Sequence, residues 1–378
     1  MITKAHSTTS LVSAALLARI LPLDLRIKEH SALYSTKKSG ALEELPGRPA
    51  QRRLHPSQLP HPAKRRRIVF GLITAQEEAT RAELQATSLY TDGSKIEGKV
   101  GAAVTIRREG VEIKSAKIKL ADYCSVFQAE MVAMDRAMDI VISTPNEETF
   151  NIISDSRSAL EALSDPNSLN PIASLIREKL NRVHSKGKHV TFHWVKAHAG
   201  IEGNERADEL AKTAALRMKT APGFSCFPLS FARRAIRHRT LNAWQERYTT
   251  SETGSTTKLF FGCVRKAHRV LSAMEMTNLR AQLFTGHGGF KEYLHRFKLT
   301  PAPFCVCDDS TPETVLHLLV ECPLYSRRRM DCEHRTGRAL TPDSLLEQVN
   351  DSHSRAHFLA FADAVVRAAA KANGAKNI

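Results

Sequence analysis

The order in which hydrophobic periodicity changes between residues 86 and 219 constrains the fold most tightly. Ser88 to Asp92 is short and strand-like. Gly101 to Arg107 and Val111 to Leu120 alternate and carry β-branched residues, and they read as a hairpin turning near Glu109-Gly110. Val126 to Ile142 has helical spacing, and Phe150 to Ser154 is again a strand. Ser156 to Leu163 and Ile172 to His184 read as helices, His189 to Val195 as a strand, and Asn204 to Met218 as a helix. Three strands, a helix, a strand, helices, a strand and a helix give an α/β class. Its sheet is mixed, with helices packed against it.

Within that frame four acids stand out. Asp92 closes the first strand in Leu89-Tyr90-Thr91-Asp92-Gly93-Ser94, where Gly93 permits a turn or the close approach of a ligand. Asp155 follows the apolar pair Ile152-Ile153. If the two strands are neighbours, both carboxylates emerge where α/β sheets commonly place ligands. Glu130 lies on the buried stripe of its helix, one position from Ala129 and three from Ala133. An ionised glutamate facing a core is costly unless it is paired or holds a metal. Asp208 sits near the start of the last helix, between Ala207 and Ala211. Taken singly, Asp92 also fits a turn residue, Asp155 a helix N-cap and Asp208 a first-turn acid favoured by the helix dipole. Glu130 has no such alternative. Four converging carboxylates become tolerable when divalent cations neutralise them, and hard oxygen ligands select magnesium or manganese. Two such ions about 4 Å apart can clamp the attacking and leaving oxygens of a phosphodiester displacement.

The blocks Tyr90-Thr91-Asp92-Gly93-Ser94, Gln128-Ala129-Glu130, Ser154-Asp155-Ser156 and Trp194 through Asp208 occur in order. Over about a third of the chain they resemble the ribonuclease H domain of non-long-terminal-repeat retrotransposons. The resemblance implies a ribonuclease H-like, five-stranded mixed sheet with flanking helices. It implies hydrolysis of the RNA strand of an RNA–DNA hybrid, leaving a 3′-hydroxyl and a 5′-phosphate. Asp92, Glu130, Asp155 and Asp208 match the family's metal-binding acids, and His198 matches its mobile loop histidine, which assists proton transfer or product release. A solvated loop residue is the other reading of His198. Telling RNA from DNA requires contact with the 2′-hydroxyl, and Gly93, Ser94, Gln128 and Asn204 are candidates by position. Ordinary turn or cap hydrogen bonding is their alternative. Glu205 fits an auxiliary acid or, more economically, a first-turn glutamate. Trp194 and Phe192 fit core filling.

The flanks differ in texture. Residues 1–37 read as helical, with Leu11, Ala14, Ala15, Ala18 and Leu21 at helical spacing and Pro22 ending that run. Leu21-Pro22-Leu23-Asp24-Leu25 resembles the segment these elements carry after a reverse transcriptase, so the chain reads as the C-terminal part of a longer polyprotein. Residues 38–85 read as a basic, proline-rich linker or arm. Within it, Lys64-Arg65-Arg66-Arg67 suits phosphate contact, a nuclear address or a solvated charge run. Residues 220–378 read as helical and basic. In them Cys305, Cys307, His317 and Cys322, spaced C-x-C-x9-H-x4-C, are candidate ligands of a structural zinc, with Cys332 and His334 as substitutes. The single residue between Cys305 and Cys307 strains chelation by both sulfurs, and a buried helical His317 among unrelated cysteines is the alternative.

Composition agrees with a polyanionic partner. Lys plus Arg number 55 against 39 acids, a formal charge of +16, and each neutralised phosphate releases condensed counterions. Seven cysteines, an odd number, with Cys124, Cys226 and Cys263 scattered, argue against a disulfide framework and for a reducing, intracellular compartment. Leu11 to Leu23 is too short to span a bilayer.

Overall fold

The computed structural model describes residues 3–374. The chain divides into two compact units, one of residues 31–236 and one built from the residues up to 30 together with those from 237 onward. The N-terminal helical pattern becomes α1, Leu11–Leu17, and α2, Leu23–Ser39. The break falls at Arg19, whose φ is +58, and at Pro22, which cannot continue a helix.

The first unit is organised by one six-stranded sheet. β1 is Phe70–Ile73, followed by α3, Gln76–Gln85. β2 is Thr87–Ile96, β3 Lys99–Arg108 and β4 Val111–Leu120. Next come α4, Val126–Ser143, and β5, Thr149–Ser154. Helices α5, Arg157–Ser164, and α6, Pro171–Ser185, precede β6, His189–Val195, and α7, Glu202–Arg217, closes the series. The strand order is β1-β6-β5-β2-β3-β4. β2, β3 and β4 pair antiparallel, while β5, β6 and β1 add in parallel.

Local chemistry explains most of these bounds. Glu109 and Gly110, at φ +53 and +79, form the two-residue turn that the β3–β4 hairpin requires. Ser125 caps α4 by accepting from the Gln128 amide, and the Gln128 side chain accepts from the Ser125 amide in return. Asn170 caps α6 ahead of Pro171, a residue preorganised for a first helical turn. Alternation along the strands divides the core. Leu89, Val104, Ile152 and Phe192 pack with Met131, Leu160 and Ile176 of α4, α5 and α6. Tyr90, Ile153 and Val195 pack with Ala79 of α3 and Ala207 of α7. Each fully buried large side chain contributes about 1.5–3 kcal/mol.

Two expectations are corrected. The sheet has six strands, not five, because residues 70–85, read as linker, supply β1 and α3. Phe70 to Ile73 sits beside Phe192 to Val195 in parallel register, a pairing that a four-residue run does not announce. The preceding segment is also bound to the unit. The Ala50 amide donates to the Gly40 carbonyl, Gln51 to Phe227 and Leu54 to Leu169, at 2.8–2.9 Å. In addition, Asp92 does not end its strand: β2 continues to Ile96 against β3. What ends near Asp92 is its parallel neighbour β5, whose last pair is Thr91 with Ser154.

The second unit is helical. It includes the C-terminal part of α8, Leu229–Thr250, then α9, Ser255–Phe260, α10, Val264–Ser272, α11, Asn278–Thr285, and α12, Lys291–Arg296. A wide turn at His317–Glu321 leads to α13, Ser326–Thr336, α14, Ser344–Asn350, and α15, Ser352–Ala372. Phe260, Phe261 and Phe284 meet edge to face, with centroids 4.9–5.2 Å apart, in a core that also buries Trp244 and Phe358. No helix among the described residues is long and apolar enough to cross a membrane.

Candidate functional site

Strand pairing brings the first acids together. Thr91 and Ser154 are neighbours on β2 and β5, so Asp92, still within β2, and Asp155, one residue past the end of β5, stand side by side. Glu130 joins them from α4. A carboxylate oxygen from each of Asp92, Glu130 and Asp155 lies within 4.8 Å of the others. Gly93 makes that approach possible. A Cβ there would stand 2.4 Å from the Glu130 amide nitrogen and 2.7 Å from the Ala129 carbonyl carbon, so only glycine lets β2 press against the backbone of α4. That is a packing duty, and any contact Gly93 makes with substrate falls to its backbone.

The cluster is electrostatically frustrated. Asp92 and Glu130 are each 6% exposed, and Asp92 Oδ2 and Glu130 Oε2 are buried with no hydrogen-bond partner. Burial, reinforced by Asp155 and Asp208, pushes the Asp92 carboxyl up to about 7. Burial, then the charges of Asp92 and Asp155, raises Glu130 well above the usual carboxylate range. Burial also raises Asp155, opposed by the hydrogen bond it accepts from Asn204. A buried polar atom without a partner costs about 1–3 kcal/mol, more when charged. Chains keep such groups where something else supplies the missing interaction. Three hard oxygen donors facing one another, two with an unused oxygen, fit a divalent cation.

Asp208 is placed differently. It groups with His198 and Glu205, their ligand atoms within 4.8 Å of one another, and its Oδ2 accepts from Lys212 Nζ at 2.5 Å. It still acts through space on Asp92, Glu130 and Asp155. His198 stands on an exposed loop at φ +54, with Nδ1 3.8 Å from Glu205 Oε2.

Of the remaining candidates, Asn204 is buried and its Nδ2 donates to Asp155 Oδ2 at 3.1 Å, while its Oδ1 has no partner. Ser94 is half-buried on β2 opposite Gly101. Gln128 does not face the site. It is 1% exposed, and its Nε2 donates to Gln51 Oε1 at 2.5 Å and to the Cys226 carbonyl at 3.1 Å. Its amide is spent on the cap of α4 and on this link, so its candidacy for substrate contact is corrected. Sequence reasoning missed two helpers. Trp194 Nε1 donates to the Asp155 carbonyl at 2.9 Å, and Lys212 follows Asp208 by four residues, a spacing that faces two side chains on one helix.

In the helical unit, ligand atoms of Cys305, Cys307, His317 and Cys322 lie within 4.8 Å of one another. Cys305 Sγ is 3.9 Å from Cys322 Sγ, and Cys307 Sγ is 3.2 Å from His317 Nε2. His317 Nδ1 is 3.3 Å from Glu321 Oε2, the outer partner that a ligating imidazole ordinarily has. Both sulfurs of the short C-x-C reach the centre. Cys332 is buried in the hydrophobic core, and neither it nor His334 joins the four.

Residues 84–216 match the family model described as RNase H. A Pol polyprotein of a type-1 retrotransposable element R1 from Nasonia vitripennis is 39% identical over 88 residues, covering 23% of this chain and 22% of that protein. Another from Bradysia coprophila is 37% identical over 94 residues, 25% of this chain and 9% of that protein. The chain thus spans less than a quarter of the length of these relatives. An R1 Pol polyprotein sequence from Popillia japonica is 27% identical over 256 residues, 66% of this chain and 97% of that one. Among solved structures, RNase H1 from Halobacterium salinarum is similar at 20% identity with a TM-score of 0.28, covering 34% of this chain and 96% of that one.

Proposed function

We propose that residues 84–216, which match the RNase H family model, form a ribonuclease H domain with which the protein hydrolyses the RNA strand of RNA–DNA hybrids. The observation that carries this reading is the pair of buried, unpartnered oxygens on Asp92 and Glu130 within a cluster of three carboxylates. Asp92, Glu130, Asp155 and Asp208 would hold two divalent cations, magnesium or manganese, which supply the charge that offsets the carboxylates and favour attack by water on phosphorus. Asn204 orients Asp155 through its amide, and Trp194 fixes the Asp155 backbone. Gly93 keeps Glu130 against Asp92. His198, exposed beside Glu205, is free to carry a proton between solvent and the leaving oxygen. The bond between phosphorus and the 3′-oxygen breaks, giving a 3′-hydroxyl and a 5′-phosphate. Gly93, through its backbone, Ser94 and Asn204 remain the candidates for reading the 2′-hydroxyl. The setting is a retrotransposon-derived protein, intracellular and, given Lys64 to Arg67, nuclear.

The test is cleavage of an RNA–DNA hybrid labelled on each strand, with and without magnesium. Cutting of the RNA strand alone, dependent on the metal and lost in Asp92→Asn, is expected. Unchanged cutting by that variant sinks the site.

The Cys/His cluster suits a structural zinc, because all four ligands are protein and no position is left open. About one equivalent of zinc should copurify with the chain and be lost in Cys322→Ser. Equal zinc content in both proteins rules the site out.

A further inference from the structure

The segments entering and leaving the ribonuclease H domain are sewn together beside the first turn of α4. The Gln51 amide donates to the Phe227 carbonyl at 2.8 Å, and the Phe227 amide donates to the Pro49 carbonyl at 3.0 Å. The leaving segment is held in turn to the loop before α4. The Ala121 amide donates to the Phe224 carbonyl at 3.0 Å and the Tyr123 hydroxyl to the Ser225 carbonyl at 2.8 Å. The Gln128 amide then ties both segments to the helix that carries Glu130 two residues later. Hydrogen bonds to main-chain groups fix the backbone of the clasp in one register.

Basic side chains flank the clasp. Arg48 is exposed immediately before Pro49. Arg234 is exposed, with its guanidinium 5.7 Å from the ring centroid of Phe231, and Phe231 lies 5.7 Å from Tyr123 in the same loop. Lys95, three residues after Asp92 on β2, donates to the carbonyls of Asp122 and Cys124 at 2.8 Å each. Arg48, Arg234 and Lys95 therefore surround one short loop that runs into α4, and the only acid in that loop is the exposed Asp122. Two of the charges, Arg234 and Lys95, sense each other. Burial, then the neighbouring Arg234, lowers the Lys95 ammonium. Arg48 acts against the burial that raises Tyr123. A set of like charges held together by backbone bonds is unfavourable alone, and a chain of phosphates relieves it.

We propose that this clasp is a second anchor for the nucleic acid, in which Arg48 and Arg234, with Lys95, hold backbone phosphates of the RNA–DNA hybrid on the α4 side of the carboxylate cluster. The proposal rests on the ribonuclease reading for its choice of ligand. Phosphate contacts of this kind position a duplex without reading its sequence, so the anchor sets affinity and register.

The test uses the full chain carrying Asp92→Asn, so that a fluorescent hybrid is bound and not cut, and measures affinity against salt. Adding Arg48→Ala and Arg234→Ala should weaken binding at 0.1 M salt by at least about tenfold and make the salt slope shallower by about two, one for each lost phosphate contact. Arg48→Gln alone, clear of the Phe231 stack, should give about half that slope change. Arg81→Ala with Lys186→Ala removes the same charge from exposed positions elsewhere in the unit and should leave the slope near that of the parent. A double clasp variant that binds within about twofold of the parent with an unchanged slope overturns the proposal. So does a control pair that weakens binding equally, or a parent that does not bind hybrid. Cleavage by the chain with Asp92 restored is read separately. Clasp-dependent binding without any cutting leaves the anchor standing and removes the ribonuclease.

Discussion

Glu83 and Glu130 are both glutamates on helices packed against β2, 2% and 6% exposed respectively, yet their surroundings are opposite. Glu83 is saturated with donors. It accepts from the Tyr90 hydroxyl at 2.8 Å, the Gly110 amide at 3.1 Å and Arg107 Nε at 3.2 Å. Arg107 is satisfied in turn by the Gly110 carbonyl and Glu202. Glu130 faces two further carboxylates and keeps one oxygen without any partner. Burial alone does not distinguish a structural acid from a functional one. The inventory of donors does, because a folded chain rarely leaves a buried oxygen unpaired without a reason.

The comparison is broken most sharply by exchanging each acid for its amide. Glu130→Gln or Asp92→Asn should lower hybrid cleavage by a thousandfold or more, on the order of 4 kcal/mol in the barrier, while the chain stays folded. Initial rates together with circular dichroism check both halves. Glu83→Ala should do the reverse. It strands Arg107 and Tyr90, and breaking a buried pair costs about 3–5 kcal/mol, so denaturant midpoints should fall while the folded fraction still cuts.

Acidity sharpens the contrast. Asp92, raised from 3.8 to about 7, keeps its proton in the folded chain at pH values where the unfolded chain has lost it. The folded state then binds more protons, and metal-free stability falls as pH rises from about 4 through about 7. At about 1.4 kcal/mol for each tenfold change in proton affinity, Asp92→Asn should stabilise the metal-free domain at pH 8 by up to about 4 kcal/mol. Melting of both proteins in a chelator across that window decides it, and a variant no more stable than its parent at pH 8 counts against the cluster's frustration.

Smaller effects should follow from the exposed groups. His198→Ala should slow cutting by roughly a hundredfold, in the range of a positioned general acid or base, with imidazole in solution restoring part of the rate. Lys212→Ala removes a half-exposed pair with Asp208 and should change stability by less than about 1 kcal/mol, measured by urea titration.

How much of this was legible in the sequence depends on the range of each interaction. Glu130 could be identified as special from its own helix, because the stripe of Ala129, Ala133 and Ala137 is a local pattern. The β3–β4 hairpin declared itself through Glu109-Gly110 for the same reason. β1 and α3 did not. Phe70 to Ile73 is strand only because Phe192 to Val195 lies beside it, more than a hundred residues later. Gly93 looked like a ligand-facing glycine, and only the position of the α4 backbone reveals it as the contact that seats Glu130. Gln128 looked free to meet substrate, but Gln51, 77 residues earlier, already holds its amide. Lys212 was within reach of the i, i+4 rule from Asp208.

Calorimetric titration of the full chain with magnesium at pH 8 probes the carboxylate cluster itself, since thiolates and imidazole do not compete well for so hard an ion. Saturable binding by the parent that disappears in Glu130→Gln and persists in Glu83→Gln is the expected result. Equal binding by the parent and Glu130→Gln, or none by the parent, would contradict a cation-holding role for the unpartnered oxygens.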